Sequence, residues 1–275
     1  MLRIAISPDS ALAACESVAK FSKEASQASV EELLESLYLS KRFDEMIKIY
    51  LQSYLNKYHL QPSQRITAQY RIYSALGKKS PEAQKYGRDI IGQFRAAGGK
   101  ITGAPLRYVG EVAFMSSNGN IVKYLALTLK GGTVASLQKS IEGKLDALTK
   151  LEASYLEVSK IGDSYWGVAA LHQIAYAYEQ FGKQLSNPPS IDGAKIEDVK
   201  KQLEPNATGA LKKSNEYYSA AQKTAKQFGV NNDYTVLLAN SMHRAKGASL
   251  SFDDWILIPD FLGGEVPGNI ATKLQ

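Results

Sequence analysis

No proline occurs between Pro105 and Pro188, and within that span an apolar ladder runs Val134, Leu137, Ile141, Leu145, Leu148, Leu151, Tyr155, Val158. Its steps are all threes and fours, which places every member on one stripe of a single α-helix of about 28 residues. Such a stripe cannot bury itself. It needs a second helix packed along its length, so the ladder predicts antiparallel helix pairing and argues against a sheet through this part of the chain.

The rest of the chain repeats the theme at shorter range. Ser7-Pro8-Asp9-Ser10 reads as a helix start, and Ser29-Val-Glu-Glu-Leu33 as another, with acids where the helix dipole favours them. A wide stripe runs from Phe43 through Met46, Ile47, Tyr50, Leu51, Tyr54 and Leu55 to Tyr58. Pro62 opens a helix that Gly77 closes, and Ser80-Pro81-Glu82 opens the next, stopped by Gly98-Gly99. Beyond the long ladder, Ile161-Gly-Asp-Ser164 stops one helix and starts a second, which Pro188-Pro189 ends. A polar stretch with Pro205 and Gly209 leads to a helix over about 211–228, and Asn231-Asn232-Asp233 starts a last one over 234–246. Seven of the 21 glycines fall within 98–132, where two short apolar pieces flank Ser117-Asn118-Gly119-Asn120. These pieces read as small helices or a hairpin, with helices preferred.

This organisation divides the chain into helical repeats over 1–100, a glycine-rich seam over 101–132, further helical repeats over 133–250 and an apolar tail over 251–275. The expected fold is all-α, a right-handed α-solenoid of antiparallel helix pairs in which stacked neighbours bury what no pair buries alone. Apolar residues at 44% and charged residues at 22% exclude wholesale disorder and a membrane-spanning body. The start Met1-Leu-Arg-Ile-Ala-Ile-Ser-Pro8 does not read as a signal peptide. The single cysteine, Cys15, excludes an internal disulfide and reads as a packed thiol.

No reaction constellation emerges. His59, His172 and His243 have no second ligand at helical spacing, which excludes a zinc pair of that kind. Gly98-Gly99-Lys100 is followed by Ile101 where a phosphate loop needs Ser or Thr, while Glu31-Glu32 and Asp253-Asp254 are adjacent and cannot face each other as acid and base. Asn206-Ala-Thr208 fits a glycosylation acceptor only by chance. The expectation is therefore no enzyme, no cofactor and no metal.

Binding is the expected role. Sixteen tyrosines stand against eight phenylalanines and two tryptophans. They either pack between helices with hydroxyls reaching water, or line a concave groove that receives a peptide. The candidate partner-binding residues are Tyr70, Tyr73, His172, Gln173, Tyr176, Trp255 and Phe261. The tail residues Phe252, Trp255, Ile256, Leu257, Ile258, Phe261 and Leu262 either fold back to cap the last helix pair or form an edge for self-association or a partner. A net charge of +6 keeps a second reading open, a binder of nucleic acid or another polyanion, although no RNA-binding aromatic signature or zinc-finger spacing supports nucleic acid.

The piece Ser40-Lys-Arg-Phe-Asp-Glu-Met-Ile-Lys-Ile-Tyr50 resembles the turn between helices A and B of a tetratricopeptide repeat, with Met46 in place of a small residue and Pro62 about four residues late. Degenerate echoes fall at Tyr70, Ser74, Ala83 and at Leu171, Ile174, Ala175, Tyr178, Gly182. From about Lys144 to Arg244, the segments Asp163-Ser-Tyr-Trp-Gly-Val-Ala-Ala-Leu171, Phe181-Gly-Lys-Gln-Leu185, Asn187-Pro-Pro189 and Phe228-Gly-Val-Asn-Asn232 are similar to the C-terminal part of large tetratricopeptide-repeat proteins of deltaproteobacteria such as Bdellovibrio and the myxobacteria. The resemblance implies a non-enzymatic scaffold for a protein or peptide partner, tied to the cell envelope or motility apparatus and located in the periplasm or envelope, with the cytoplasm as alternative. A chain cut from a longer exported protein would reconcile this with the missing export signal.

Overall fold

The computed structural model describes residues 7–245, and among these there is no β-strand. The all-helical expectation holds. The elements are α1 (Pro8–Ser17), a 3-10 turn, α2 (Lys23–Leu39), α3 (Phe43–Ile49), a π-helical turn (Tyr50–Tyr54), α4 (Leu55–Lys57), α5 (Pro62–Ala75), α6 (Pro81–Ala96), α7 (Ala104–Ala126), α8 (Val134–Lys160), α9 (Ser164–Ser186), α10 (Ile196–Phe228) and α11 (Asp233–Ala245).

Several boundaries differ from the sequence reading, each for a physical reason. α2 begins six residues before Ser29, because the Ser22 hydroxyl accepts the Ala25 N–H at 3.1 Å and caps the helix there. Ser29 lies inside the helix with its hydroxyl bonded back to the Ala25 carbonyl at 3.0 Å. The glycine-rich stretch holds one helix rather than two. Phe114, Ser117, Ile121 and Tyr124 are buried at steps of three, four and three, and that stripe outweighs the turn chemistry of Ser117–Asn120. Finally, α10 starts at Ile196 and carries Pro205 within it. Pro205 and Lys201 both lie on the exposed side, where water can bond the carbonyl that a proline leaves without its helical donor.

The described residues fall into two compact units, 7–118 with Ile161–Asp163, and 119–160 with 164–245. In the first, Val30, Leu34 and Leu37 of α2 meet Met46, Ile49, Tyr50 and Tyr54, with Ala68 and Ile72 of α5 closing the cluster. A second cluster joins Ile66 and Tyr73 of α5, Ala83 and Ile90 of α6, and Val109 and Val112 of α7.

In the second unit α9 is the central helix, buried on most sides between α8 and α10. Small residues let α10 come close. A Cβ at Gly182 would stand 2.7 Å from Leu211 Cγ and 3.2 Å from the Ala207 carbonyl oxygen. Ahead of α8, Gly132 and Ile191 form an isolated parallel bridge, with Gly132 N–H donating to Ser190 O at 3.0 Å and Asp192 N–H to Gly132 O at 2.7 Å. Gly131 makes that approach possible, since a Cβ there would fall 2.5 Å from Ser190 O. The tail over 251–275, with Trp255 and Phe261, lies outside the described residues.

Candidate functional site

The first unit contains a cavity of about 230 Å³ between α2, the π-helical turn and α5. Each wall follows from helix register. On α2 the buried stripe is Ser26, Val30, Leu34, Leu37, and the half-buried stripe beside it is Gln27, Glu31, Glu35, Tyr38. On α5 the matching half-buried row is Gln64, Thr67, Arg71, Ser74. Tyr50 and Tyr54 close the bottom, their rings edge to face at 5.7 Å.

Two polar systems occupy the walls. Arg71 pairs with Glu35, donates to the Tyr50 hydroxyl at 3.3 Å and lies 5.3 Å from the centre of the Tyr38 ring. Glu31 is held otherwise. Its Oε1 accepts from Gln27 Nε2 at 3.0 Å, Gln64 Nε2 at 3.1 Å and the Tyr54 hydroxyl. Burial and that carboxylate push the Tyr54 hydroxyl far above the ordinary tyrosine range, so it stays a donor at any physiological pH.

Beyond the cavity the same chemistry joins other helices. Tyr70 stacks on Tyr108 at 4.0 Å and donates to Glu111 at 2.7 Å, and Lys78 pairs with the same carboxylate. In the second unit Glu152 of α8 accepts from Tyr178 of α9 at 2.7 Å and from Tyr217 of α10, and pairs with Lys213 at 2.8 Å. The Lys213 ammonium lies 4.5 Å from the centre of the Tyr178 ring. Much of the tyrosine surplus thus has a use: hydroxyls bridge helices by donating to glutamates, where water was the expected partner.

The Glu152 joint makes a pH prediction. Burial raises its carboxyl, but the bonds from Lys213, Tyr217 and Tyr178 outweigh burial and hold it below the ordinary value of 4.5. A lowered carboxyl gives stability that is present above the unfolded value and is lost as pH falls through the folded one. Urea unfolding should therefore show the wild type weakening in acid below about pH 4.5. Glu152→Gln should be about 2 kcal/mol less stable at neutral pH and flatter across that acid window.

The sequence-chosen residues are scattered. Tyr70 is half-buried in the Glu111 joint, while Tyr73 is 1% exposed in the core. His172 is buried, with the rings of Tyr218 and Tyr234 at 5.6 and 5.8 Å. Gln173 reaches the Tyr234 hydroxyl and Tyr176 is half-buried. Trp255 and Phe261 lie outside the described residues. Sequence reasoning passed over Glu31, Glu35, Tyr54 and Arg71 as site residues. The usable signal was the i, i+4 pair Glu31 and Glu35 directly beside an apolar stripe.

Among the described residues no group of three or more His, Cys, Asp or Glu could hold a metal ion, and no helix is long and apolar enough to cross a membrane. No family model, curated protein or solved structure matches the chain.

Proposed function

We propose that this chain is a non-enzymatic scaffold of tetratricopeptide-like character, a right-handed stack of antiparallel helix pairs that binds a protein or peptide along a concave surface. The observation that carries this reading is the cavity itself. It opens between α2 and α5, two helices each followed by a partner helix packed on it, α3 and α6 respectively. A groove between the leading helices of successive pairs is the surface such stacks offer to an extended segment. A setting in a bacterial envelope or motility assembly rests on the resemblance of residues 144–244 alone.

The test is a crosslinking capture with the purified chain from bacterial envelope and cytosolic extracts, at low and high salt. Thr67→Trp, on the cavity wall, serves as a plugged control. The expected result is a salt-resistant protein partner that the plugged variant loses at least about tenfold while melting like the wild type. Capture indifferent to the plug overturns the groove reading. Nucleic acid recovered only at low salt replaces it with the polyanion reading.

A further inference from the structure

Seven glutamates of the described residues are not fully exposed, Glu16, Glu31, Glu35, Glu45, Glu111, Glu152 and Glu179. Six are salt-bridged: Glu16 to Lys57, Glu35 to Arg71, Glu45 to Arg42, Glu111 to Lys78, Glu152 to Lys213 and Glu179 to Lys183. Glu31 alone has no cation among the described residues. Its donors Gln27, Gln64 and Tyr54 are all neutral and all fall on Oε1, and among the described residues none donates to Oε2. The carboxyl group is thus fixed in position, drawn partly out of water, on the wall of a cavity.

We propose that this cavity takes the cationic side chain of a bound peptide, an arginine or lysine, with Glu31 as its counter-ion. The assignment rests on the peptide-scaffold reading and names what that scaffold recognises. Three features support it. The lining carries two carboxylates against one guanidinium, and Arg71 is already committed to Glu35 and Tyr50, so no free positive charge waits for an anion. Leu34, Ala68 and the rings of Tyr50 and Tyr54 supply the apolar wall that an alkyl stem needs, and aromatic rings favour a cation beside them. The volume, about 230 Å³, falls below the roughly 300 Å³ at which sites for drug-sized ligands begin, and so suits one side chain. The partner's charge completes the arrangement that the other six glutamates complete within the fold.

Two probes test this on the full chain. On an array of immobilised random decapeptides, wild type should enrich arginine or lysine at one position. Glu31→Gln should weaken those peptides about tenfold, the loss expected for a hydrogen bond to a charged group. This variant keeps a carbonyl oxygen for the three neutral donors. Glu32→Gln removes the same charge from an exposed position of α2 and should change nothing. In parallel, Nα-acetyl-arginine methyl ester titrated into chain labelled at the tyrosine rings should shift the NMR signals of Tyr50 and Tyr54, and should fail to do so in Glu31→Gln. Peptides bound without a basic preference, or with one that survives Glu31→Gln, overturn the cation site and leave the scaffold standing. An ester that titrates against Glu31 while no peptide binds keeps the site and overturns the scaffold. Silence from both probes overturns both.

Discussion

Gly182→Val is expected to cost the protein about 3 kcal/mol or more, at the upper end of what overpacking does. For a chain of this size that is a fall of roughly 6–12 °C in melting temperature. The cause is local. α9 and α10 approach so closely at Gly182 that a Cβ would sit 2.7 Å from Leu211 Cγ, 2.8 Å from its Cδ2 and 3.2 Å from the Ala207 carbonyl. Leu211 could turn aside, but the Ala207 carbonyl belongs to the α10 backbone and moves only with the helix. Valine adds two further methyls, and its β-branched side chain has little rotamer freedom on a helix with which to avoid the clash. A double-mutant cycle checks the assignment. Gly182→Ala should cost distinctly less in a Leu211→Ala background, because two of the three close atoms are then gone. A valine variant that melts with the wild type would show that the two helices are not held at this separation.

Lys144→Glu carries the second large expectation. The Lys144 side chain is 1% exposed. Its ammonium donates to the Tyr124 carbonyl at 3.2 Å and to the Leu127 carbonyl, and lies 4.3 Å from the centre of the Tyr124 ring. These carbonyls sit at and just beyond the end of α7, where helix acceptors lack donors and the dipole is negative. A glutamate there would turn a buried carboxylate toward carbonyl oxygens, at a cost of about 3–5 kcal/mol. Lys144→Met keeps the apolar stem, loses the donor, and should cost about 1–2 kcal/mol.

Burial pulls the Lys144 ammonium below the ordinary lysine value of 10.5. Between the folded and unfolded values the unfolded chain therefore holds more protons, so stability should rise with pH on approaching 10.5. Lys144→Met should lack that rise. Chemical denaturation at a series of alkaline pH values separates the two curves.

What could be read from the sequence was whatever is local. The ladder from Val134 to Val158 gave α8 almost to the residue, because a long stripe at steps of three and four has one solution. Ser80-Pro81 gave the start of α6, because a cap and a proline act within one turn. Turn residues misled where burial decided otherwise, as at Ser117–Asn120 in α7. Pro205 misled because exposure makes a lost helix bond cheap. The joints were hidden for another reason. Tyr70 finds Glu111 41 residues away, and Tyr217 finds Glu152 65 residues away, separations at which no spacing rule speaks. Tyr70 could be singled out as a candidate from its own spacing, but its partner could not. Glu31 showed in the sequence only its place with Glu35 beside an apolar stripe, since its lack of a cation among the described residues is a property of the folded chain.

The π-helical turn at Tyr50–Tyr54 has a consequence for recognition of the chain by pattern. Each π-type bond closes over five residues instead of four, so the helix takes in an extra residue without advancing its face. A motif of fixed length that enters in phase at Phe43 leaves out of phase after Tyr54, rotated by roughly 100° at 3.6 residues per turn. Tyr58, in extended backbone just past α4, meets Ser26 of α2 at 2.8 Å. A helical template laid over this segment therefore needs a one-residue gap within 50–54 to stay in register on both sides of the π-helical turn.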